Sequence, residues 1–349
     1  MTTAMTGIDV SVIIVSWNTR DILRDCLASV YAQTRDVSFE VIVIDNASAD
    51  GTPELVKRDF VAVRLIENAD NRGFAAANNQ GMGLATGRYL LLLNSDTIVL
   101  DSAIDKMVAF ADQHPQAAVV GCRVLNRDRT LQPTCFMYPS ILNMLLFATS
   151  LNRLFPSSRL FGRERMTWWK RDDVREVEVV TGCFMLVRRE AIDQVGLMDE
   201  SFFMYGEETD WCFRFRQAGW KSLFTPQAEI IHLGGASTSR VANEMTLQLK
   251  AGVLQFICKH DTRVPYVASC MLMGVFLALR IPFWAGKAIL SRRDRRNAWS
   301  RVSTYARGLC RIMRGWRGLR ADASSPGRAD STTRGPGGVF VRARWKRWM

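Results

Sequence analysis

The chain has 349 residues, 48% of them hydrophobic and 23% charged, which is enough for a sizeable core in about two domains. Its eight cysteines are scattered without a CxxC pair, so the sequence indicates neither a disulfide framework nor a zinc site. A reducing compartment is therefore expected. The first apolar run, VSVIIV at 10–15, is too short for a secretory signal peptide and has no basic start.

The net charge of +12 comes from the C-terminus. From Lys287 onward there are 17 Lys and Arg against 3 Asp and Glu, a charge of +14. That leaves 29 of the 46 basic and 31 of the 34 acidic residues to the rest of the chain, a charge of −2. A basic tail favours an anionic partner. Since no nucleic-acid-recognition motif accompanies it, an anionic membrane surface is favoured and no nucleic-acid partner is expected.

An apolar segment precedes this tail. Val264 to Leu279 is a run of 16 uncharged residues; Arg280 interrupts it, and IPFWAG at 281–286 continues it. A membrane-spanning helix needs about 20 apolar residues, and Arg280 and Pro282 make a simple span awkward. The segment is interpreted as lying in the bilayer interface, with the Arg-rich tail on lipid headgroups. The alternative is a buried core helix with a solvated tail. The stretch 321–338 is predicted to be disordered.

The first 118 residues alternate between strand and helix patterns. Strands are predicted at 10–15, 39–45, 61–67 and 88–94, and helices at 20–32, 74–85 and 101–112, with a turn and a short helix start at 47–56. This repetition predicts an α/β fold with a Rossmann-like, mostly parallel sheet and helices on both faces. Ligands bind such sheets at the carboxyl ends of the strands.

Polar residues fall at those carboxyl ends. They are SWN at 16–18, Asp45 with Asn46, and NSD at 94–96. Ordinary helix capping by Asn18, Ser48 and Ser95 would explain each singly. It would not explain why an aromatic residue and two acids appear at successive strand ends, so these ends are predicted to face one ligand.

The pattern changes after residue 118. Residues 126–176 are predicted to be irregular, and ILNMLLFATSLNRLF at 141–155 fits either a helix packed on the core or a surface that meets lipid. VEVVTGCFMLVRREAI at 177–192 indicates a strand running into a helix. YGEETDWCFR at 205–214 places three carboxylates at a helix start, and Gly219 is the expected helix stop.

Five ordered motifs together resemble the family-2 glycosyltransferases. They are VSVIIVSWN, VIVIDNASADGT, NRGFAAANN, LLLNSDT and the stretch from GCFMLVRRE to FRFRQAGW, which cover roughly residues 8 to 240. The nearest likeness is to bacterial rhamnosyltransferases that extend lipid-linked saccharides. The resemblance implies a GT-A-type α/β domain with a nucleotide-sugar-binding half at 1–118 and an acceptor-binding half at 119–245. A membrane-associated helical segment at 246–290 and a basic, partly disordered tail at 291–349 would follow.

The resemblance also implies donor-site residues. Trp17 matches the ring that packs on the nucleotide base, Asp45 the acid that bonds the base, and Arg72 and Gly73 the loop near the diphosphate and ribose. Ser16, Asn78 and Ser95 lie in the same motifs and are expected to bind the nucleotide sugar.

The resemblance further implies a divalent metal, Mg²⁺ or Mn²⁺. Asp96 matches the last acid of the DxD motif, which holds ribose and metal, whereas Asn94 replaces the first acid and removes one charge. His232 matches a histidine that completes the metal site in some members; a satisfied core histidine is the alternative. A metal on such ligands would neutralise the diphosphate leaving group.

The expected catalytic base is Glu208, the second residue of the acidic pair. It would take the proton from the acceptor hydroxyl, and apolar surroundings would raise its pKa. Glu207 and Asp210 are expected to orient the acceptor or to cap the helix, with Asp210 pairing to Arg214, and Tyr205 is the aromatic residue expected to contact the acceptor.

The sequence thus predicts an inverting glycosyltransferase at the cytoplasmic face of the inner membrane, peripheral or monotopic. Its expected partners are a dTDP- or UDP-sugar, with dTDP-rhamnose preferred, and a saccharide or polyprenyl-linked acceptor in surface polysaccharide synthesis. A metal-dependent nucleotidyltransferase and a non-catalytic membrane scaffold on a transferase fold are the alternatives.

Overall fold

The structure is a computed structural model that describes residues 7–234, 242–291 and 294–313. The stretch 321–338 and the greater part of the basic tail lie outside the described residues. The predictions made for them therefore stay predictions.

The N-terminal part alternates strands and helices as the hydrophobic pattern predicts. In chain order it contains β1 (Val10–Ser16), α1 (Arg20–Gln33), β2 (Phe39–Asp45), α2 (Thr52–Asp59), β3 (Arg64–Glu67), α3 (Phe74–Met82), β4 (Tyr89–Asn94), β5 (Thr97–Val99) and α4 (Ala103–Gln113). β3, β2, β1 and β4 lie side by side in this order and are all parallel. β3 is shorter than the predicted strand at 61–67, because residues 61 and 62 form a turn in which Val61 is 86% exposed.

The C-terminal part of the domain completes the sheet. It contains β6 (Ala117–Leu125), β7 (Leu131–Gln132), β8 (Cys135–Phe136), α5 (Ile141–Ala148), α6 (Leu151–Leu154), β9 (Arg175–Val177), β10 (Val179–Val180), β11 (Phe184–Arg188), α7 (Arg189–Val195), α8 (Glu207–Gln217) and β12 (Lys221–His232). The strand order is β3-β2-β1-β4-β11-β6-β12-β5. β11 is antiparallel to both β4 and β6, so the parallel half is followed by a mixed half. The stretch 126–176 is less irregular than predicted, since it holds two short helices.

Helices cover both faces of the sheet. One face packs against apolar side chains of α1, α2 and α4, and the other against α3, α7 and α8. In β1, Val12 and Ile14 enter the first core and Ile13 the second. A strand covered on both faces needs apolar side chains at every position, which explains the unbroken run at 10–15. Gly219, with φ +90°, follows the end of α8 as predicted.

Three further helices follow the sheet: α9 (Ala242–His260), α10 (Arg263–Leu290) and α11 (Arg295–Met313). They form a separate apolar core with α5. Within the described residues, α10 is the one helix long and apolar enough to cross a membrane, and it continues through Pro282. Only 22% of its most apolar window is buried, which disfavours the interpretation as a buried core helix.

The exposed side of α10 is an apolar stripe. We use this name for Val264, Val267, Met271, Val275, Leu279, Phe283, Ile289 and Leu290, all of them exposed. From Val264 to Phe283 they recur every three or four residues, and Ile289 and Leu290 fall on the same side at about 100° per residue, so the stripe extends over nearly the full length of the helix. Ile141, Leu142 and Leu145 of the neighbouring α5 are also exposed.

Candidate active site

A cavity of about 520 Å³ lies at the carboxyl ends of the central strands, beside the start of α8. Its lining includes the residues that follow β1, β2 and β4 and the last residue of β12, as the strand-end pattern predicts. The predicted site residues that line it are Trp17, Gly73, Ser95, Asp96, Tyr205, Glu207, Glu208 and His232. The predicted site residues outside the lining are Ser16, Asp45, Arg72, Asn78 and Asp210.

The strand-end side chains bond to neighbouring loops and do not cap helices. The Oδ1 atom of Asn18 accepts a hydrogen bond from the Ala49 N–H at 2.8 Å, and Ser48 Oγ accepts one from the Asn18 N–H at 2.8 Å. These bonds join the loops after β1 and β2. The capping interpretation of Asn18 and Ser48 was therefore wrong.

Asp45 is buried at the end of β2. Its Oδ2 accepts a hydrogen bond from the Ser48 N–H at 2.8 Å, whereas its Oδ1 is buried without a hydrogen-bond partner. Burial raises the pKa of this carboxyl group. Ser16 and Asn78 are also buried and bond locally: the Ser16 and Thr19 hydroxyls lie 2.9 Å apart, and Asn78 Nδ2 donates to the Phe74 carbonyl.

Asn46 organises the loop that carries Gly73, a role that the sequence patterns did not reveal. Its Nδ2 donates to Asn71 Oδ1 at 3.3 Å and to the Gly73 carbonyl at 3.1 Å. Gly73 has φ +83°, and a Cβ there would lie 2.3 Å from the Phe203 carbonyl oxygen. Only glycine therefore allows this loop to contact the segment before α8. Arg72 beside it is exposed.

Asp96 and His232 converge although 136 positions separate them in the sequence. Asp96 Oδ1 lies 3.1 Å from His232 Nε2, and Asn94 Nδ2 lies 3.2 Å from the same nitrogen. His232 Nδ1 lies 2.7 Å from Gln132 Oε1. Because Gln132 Nε2 donates to Asn126 Oδ1, Gln132 Oε1 is the acceptor and His232 Nδ1 the donor of their hydrogen bond. The other ring nitrogen, Nε2, therefore faces Asp96 Oδ1 and Asn94 Nδ2.

This geometry fits a divalent metal with an open coordination shell. A carboxylate oxygen and an imidazole nitrogen face one point, and Gln132 orients the imidazole as an outer partner orients a metal ligand. Among the described residues, no group of three or more His, Cys, Asp or Glu side chains converges to hold a metal. The other ligands would have to be substrate oxygens and water.

The acidic pair begins α8. Gly206, with φ +103°, is the N-cap, and its N–H donates to Glu208 Oε2 at 3.2 Å. Glu207 is buried, and its Oε2 has no hydrogen-bond partner. Burial raises the pKa of both carboxyl groups, and the neighbouring Glu208 charge raises that of Glu207 further. The predicted direction for Glu208 is confirmed. Glu207 therefore keeps its proton to higher pH, and Glu208 is the first of the pair to become a base.

Asp210 lies away from the cavity in a buried ion cluster. Its Oδ2 is 2.8 Å from Arg214 Nε, and its Oδ1 is 2.6 Å from Lys259 Nζ and 2.7 Å from His260 Nε2. The predicted pair with Arg214 is confirmed. The cluster joins α8 to α9 and leaves Asp210 no free position for an acceptor, so the predicted acceptor-orienting role does not fit this geometry.

Helix α9 also lines the cavity. Gly252 packs against the loop before α8 so closely that a Cβ would lie 2.1 Å from the Tyr205 carbonyl oxygen. Lys250, Val253 and Phe256 of the same helix reach the lining. The segment at 246–290, predicted as one membrane-associated unit, is therefore divided: its first part belongs to the cavity. No local sequence pattern pointed to Lys250, or to Arg165 and Phe147, which line the same cavity.

The chain is similar in sequence to known proteins. N-acetylglucosaminyl-diphospho-decaprenol L-rhamnosyltransferase of Mycobacterium tuberculosis is 30% identical over 244 residues, which are 66% of this chain and 77% of that protein. O-antigen biosynthesis protein RfbC of Myxococcus xanthus is 30% identical over 231 residues, 65% of this chain but 17% of that protein.

A solved structure shares the fold. The mannosyltransferase PcManGT from Pyrobaculum calidifontis, in complex with GDP-Man and Mn²⁺, has a TM-score of 0.53 and 16% identity over 88% of each chain. This likeness confirms the predicted GT-A-type α/β fold. Residues 11–196 match the family described as Glycosyl transferase family 2. The chain therefore belongs to glycosyl transferase family 2.

Proposed function

We propose that this glycosyltransferase moves a sugar, with inversion, from a nucleotide sugar to a lipid-linked saccharide. The observation that carries the proposal is that Asp96 and His232 share one cavity with Glu207 and Glu208. Rhamnose from dTDP-rhamnose is the proposed donor, and this choice rests on the name of the mycobacterial relative. A UDP-sugar is the other donor to test. Family membership leaves neither the nucleotidyltransferase nor the scaffold alternative with support.

The residues of the acidic pair have different tasks in this proposal. The acceptor hydroxyl oxygen attacks the anomeric carbon, its proton passes to Glu208, and the bond from that carbon to the nucleotide diphosphate breaks. A single displacement from the opposite side inverts the configuration. Burial raises the pKa of Glu207 and so favours its protonated form, which would donate a hydrogen bond to an acceptor oxygen; Tyr205 lines the same cavity.

The donor occupies the strand-end side of the cavity in this proposal. Trp17, half-buried in the lining, would pack on the base, and the unpartnered Oδ1 of Asp45 would accept a hydrogen bond from it after a small opening of the loop. The Gly73 loop and Ser95 would face the ribose and diphosphate. Arg72, exposed beside the cavity, would reach the diphosphate only by reorienting. Asn78 would act through the Phe74 carbonyl that it bonds, and Ser16 through the Thr19 hydroxyl.

Asp96 and His232 would hold Mg²⁺ or Mn²⁺. The ion would neutralise the charge that develops on the diphosphate leaving group. A nitrogen ligand favours Mn²⁺ over Mg²⁺. Asn94 now contacts the nitrogen that would bind the metal, so its amide must turn aside when metal binds.

The apolar stripe of α10 supports peripheral association with the cytoplasmic face of the inner membrane. We infer that the stripe and the exposed side of α5 lie in the bilayer interface. Basic side chains, among them Arg263, Lys287 and Arg295, stand near both ends of α10 and suit anionic headgroups. The proposed domain division keeps the donor half at 1–118 and adds α9 to the acceptor half.

A thermal-shift screen of nucleotide sugars with Mn²⁺ and Mg²⁺ tests the proposal. A ligand that binds the folded chain raises its melting temperature by mass action. We expect dTDP-rhamnose to give the largest metal-dependent shift, with GDP-mannose as the comparison. If no nucleotide sugar shifts the melting temperature with either metal, the proposal is wrong. A larger shift with a UDP-sugar would replace only the donor.

A further inference from the structure

A second charged group of the cavity is not used by the proposed chemistry. Lys250 and Arg165 both line the cavity, on the side formed by α5 and α9. Among the described residues, neither takes part in an ion pair. The Lys250 ammonium instead lies over the Phe147 ring, 3.7 Å from its centroid, and 5.4 Å from that of Phe276. Glu164 also lines this cavity, but it forms no ion pair with Lys250 or Arg165, so the ammonium held against the aromatic faces keeps hydrogen-bond donors available for a ligand.

The aromatic pair continues this cationic surface toward α10. Phe147 and Phe276 stack with their centroids 4.5 Å apart, and Arg280 lies 3.7 Å from the Phe276 centroid. Arg280 also donates to Ser150 Oγ at 3.2 Å. Each ring of the aromatic pair therefore has a cation over it, Lys250 over Phe147 and Arg280 over Phe276. We call Lys250, Arg165, Arg280, Phe147 and Phe276 the cation–aromatic cluster.

The charges in this cluster are not balanced. Burial lowers the pKa of the Lys250 ammonium to about 8; Glu164 opposes the shift, and the guanidinium groups of Arg165, Arg280 and Arg153 add to it. Burial also raises the pKa of Glu164, which weakens this carboxyl as a counter-ion. Concentrated positive charge in a partly buried site costs free energy unless an anion occupies it.

The cluster lies between the proposed base and the proposed membrane surface. On one side, Gly252 joins α9 to the loop of Tyr205 and Gly206, which leads into the acidic pair. On the other side, Phe147 belongs to α5 and Phe276 to α10, the helices that expose apolar side chains. A ligand with a hydroxyl at Glu208, an anionic group at Lys250 and an apolar chain along α5 and α10 would match all three regions.

We propose that the cation–aromatic cluster binds the phosphate groups of a polyprenyl-diphosphate acceptor, with Lys250 and Arg165 as the direct contacts. This inference rests on the proposed function, because it names the acceptor class of the same site. The diphosphate holds the acceptor at a fixed distance from Glu208, and the prenyl chain leaves toward the apolar stripe. Charge-assisted hydrogen bonds to phosphate are the strongest contacts that such side chains make.

Titration calorimetry of the full chain with farnesyl diphosphate tests this assignment. The titration is run in EDTA, so that no divalent metal draws the diphosphate to Asp96 and His232. The comparison ligands are farnesol, which lacks the diphosphate, and inorganic diphosphate, which lacks the prenyl chain. We expect the wild type to bind farnesyl diphosphate more tightly than either, and an excess of dTDP or UDP to leave this binding unchanged. Competition by the nucleotide would place the ligand in the donor site and overturn the assignment.

Substitutions at Lys250 give the matched comparison. We expect Lys250→Met to lose at least tenfold in farnesyl diphosphate affinity and Lys250→Arg to stay within about threefold of the wild type. Lys106→Met makes the same chemical change on α4, at a partly exposed lysine that pairs with Asp101 away from the cavity lining, and should change nothing. Affinity should fall as pH rises through the Lys250 pKa of about 8, but not in Lys250→Arg.

Two failures are distinguishable. In the first, the wild type binds a nucleotide sugar with metal, but Lys250→Met binds farnesyl diphosphate as tightly as the wild type does. That result would overturn the acceptor subsite alone. A wild type that binds no nucleotide sugar would overturn the proposed function. Should Lys250→Met fail to fold, Arg165→Met, at an exposed position, must show the same selective loss.

Discussion

The two sides of the cavity are built differently. The proposed donor side takes its side chains from loops at successive strand ends, and polar groups of these loops bond to one another, as Asn46 Nδ2 does to Asn71 Oδ1 and to the Gly73 carbonyl. The proposed acceptor side is assembled from α5, α8, α9 and the segment around Arg165, and in its lining the buried Glu207 Oε2 has no hydrogen-bond partner. The bonds among the strand-end loops make the proposed donor side largely preformed. On the proposed acceptor side, Glu207 Oε2 would gain a hydrogen-bond partner when an acceptor binds.

We expect the largest loss of activity from a substitution of Glu208. We expect Glu208→Gln to lower kcat by about 10²- to 10⁴-fold, because the acceptor proton loses its base, while nucleotide-sugar affinity stays within about twofold. Steady-state kinetics with calorimetric donor titrations would measure both. Glu207→Gln is the matched control, since it replaces a neutral carboxyl by a neutral amide. A larger loss in the control would exchange the roles of the two residues.

Substitutions at Asp96 and Gln132 test the proposed metal site by their effect on nucleotide binding. Asp96→Ala should weaken Mn²⁺-dependent nucleotide binding by about 100-fold or more, because the metal loses its carboxylate ligand. Gln132→Leu should cost roughly tenfold, because it frees the His232 ring without removing a ligand. Titrations with and without Mn²⁺ would show both effects. If metal makes no difference to wild-type affinity, Asp96 and His232 form a hydrogen-bonded pair and not a metal site.

A charged substitution in the apolar stripe tests whether this surface binds to a lipid bilayer. Val275→Glu should weaken binding to vesicles containing anionic lipid by about 30-fold, roughly 2 kcal/mol, because a carboxylate would enter the bilayer interface. Flotation with vesicles measures this loss. Val61→Glu, at an exposed turn beside β3, is the control and should float as the wild type does. A change in oligomeric state without a change in flotation would show that a second copy covers the stripe.

The smallest effect concerns stability. Glu207 has an ordinary pKa of 4.5, raised by burial in the folded chain. Between these two pKa values the folded chain holds a proton that the unfolded chain has released, so stability falls as pH rises through this window. This decrease in the free energy of unfolding is up to about 1.4 kcal/mol per pH unit, and Glu207→Gln removes it. Urea unfolding from pH 4 to 8 would show the two curves diverging. Parallel curves would contradict a raised pKa of Glu207.

The sequence foretold the donor side better than the acceptor side, for a physical reason. The buried strands have unbroken apolar runs, and parallel strands bring their carboxyl ends to one edge, so Trp17 and Asp96 could be placed from local patterns. No comparable rule joins Lys250 to Phe147, because their contact depends on how α9 packs against α5. The acidic pair was recognised through its motif, but the ion cluster that draws Asp210 away required Lys259 and His260 from α9.

The contact between Gly73 and Phe203 has a kinetic consequence. The Phe74 N–H donates to the Phe203 carbonyl at 2.7 Å, so the donor loop and the segment leading to Glu208 are joined backbone to backbone. A nucleotide sugar that orders the Gly73 loop would therefore also order the segment that leads to Glu208. The substrates should then enter in compulsory order, donor first. The released nucleotide would compete with the donor alone and act as a noncompetitive inhibitor toward the acceptor.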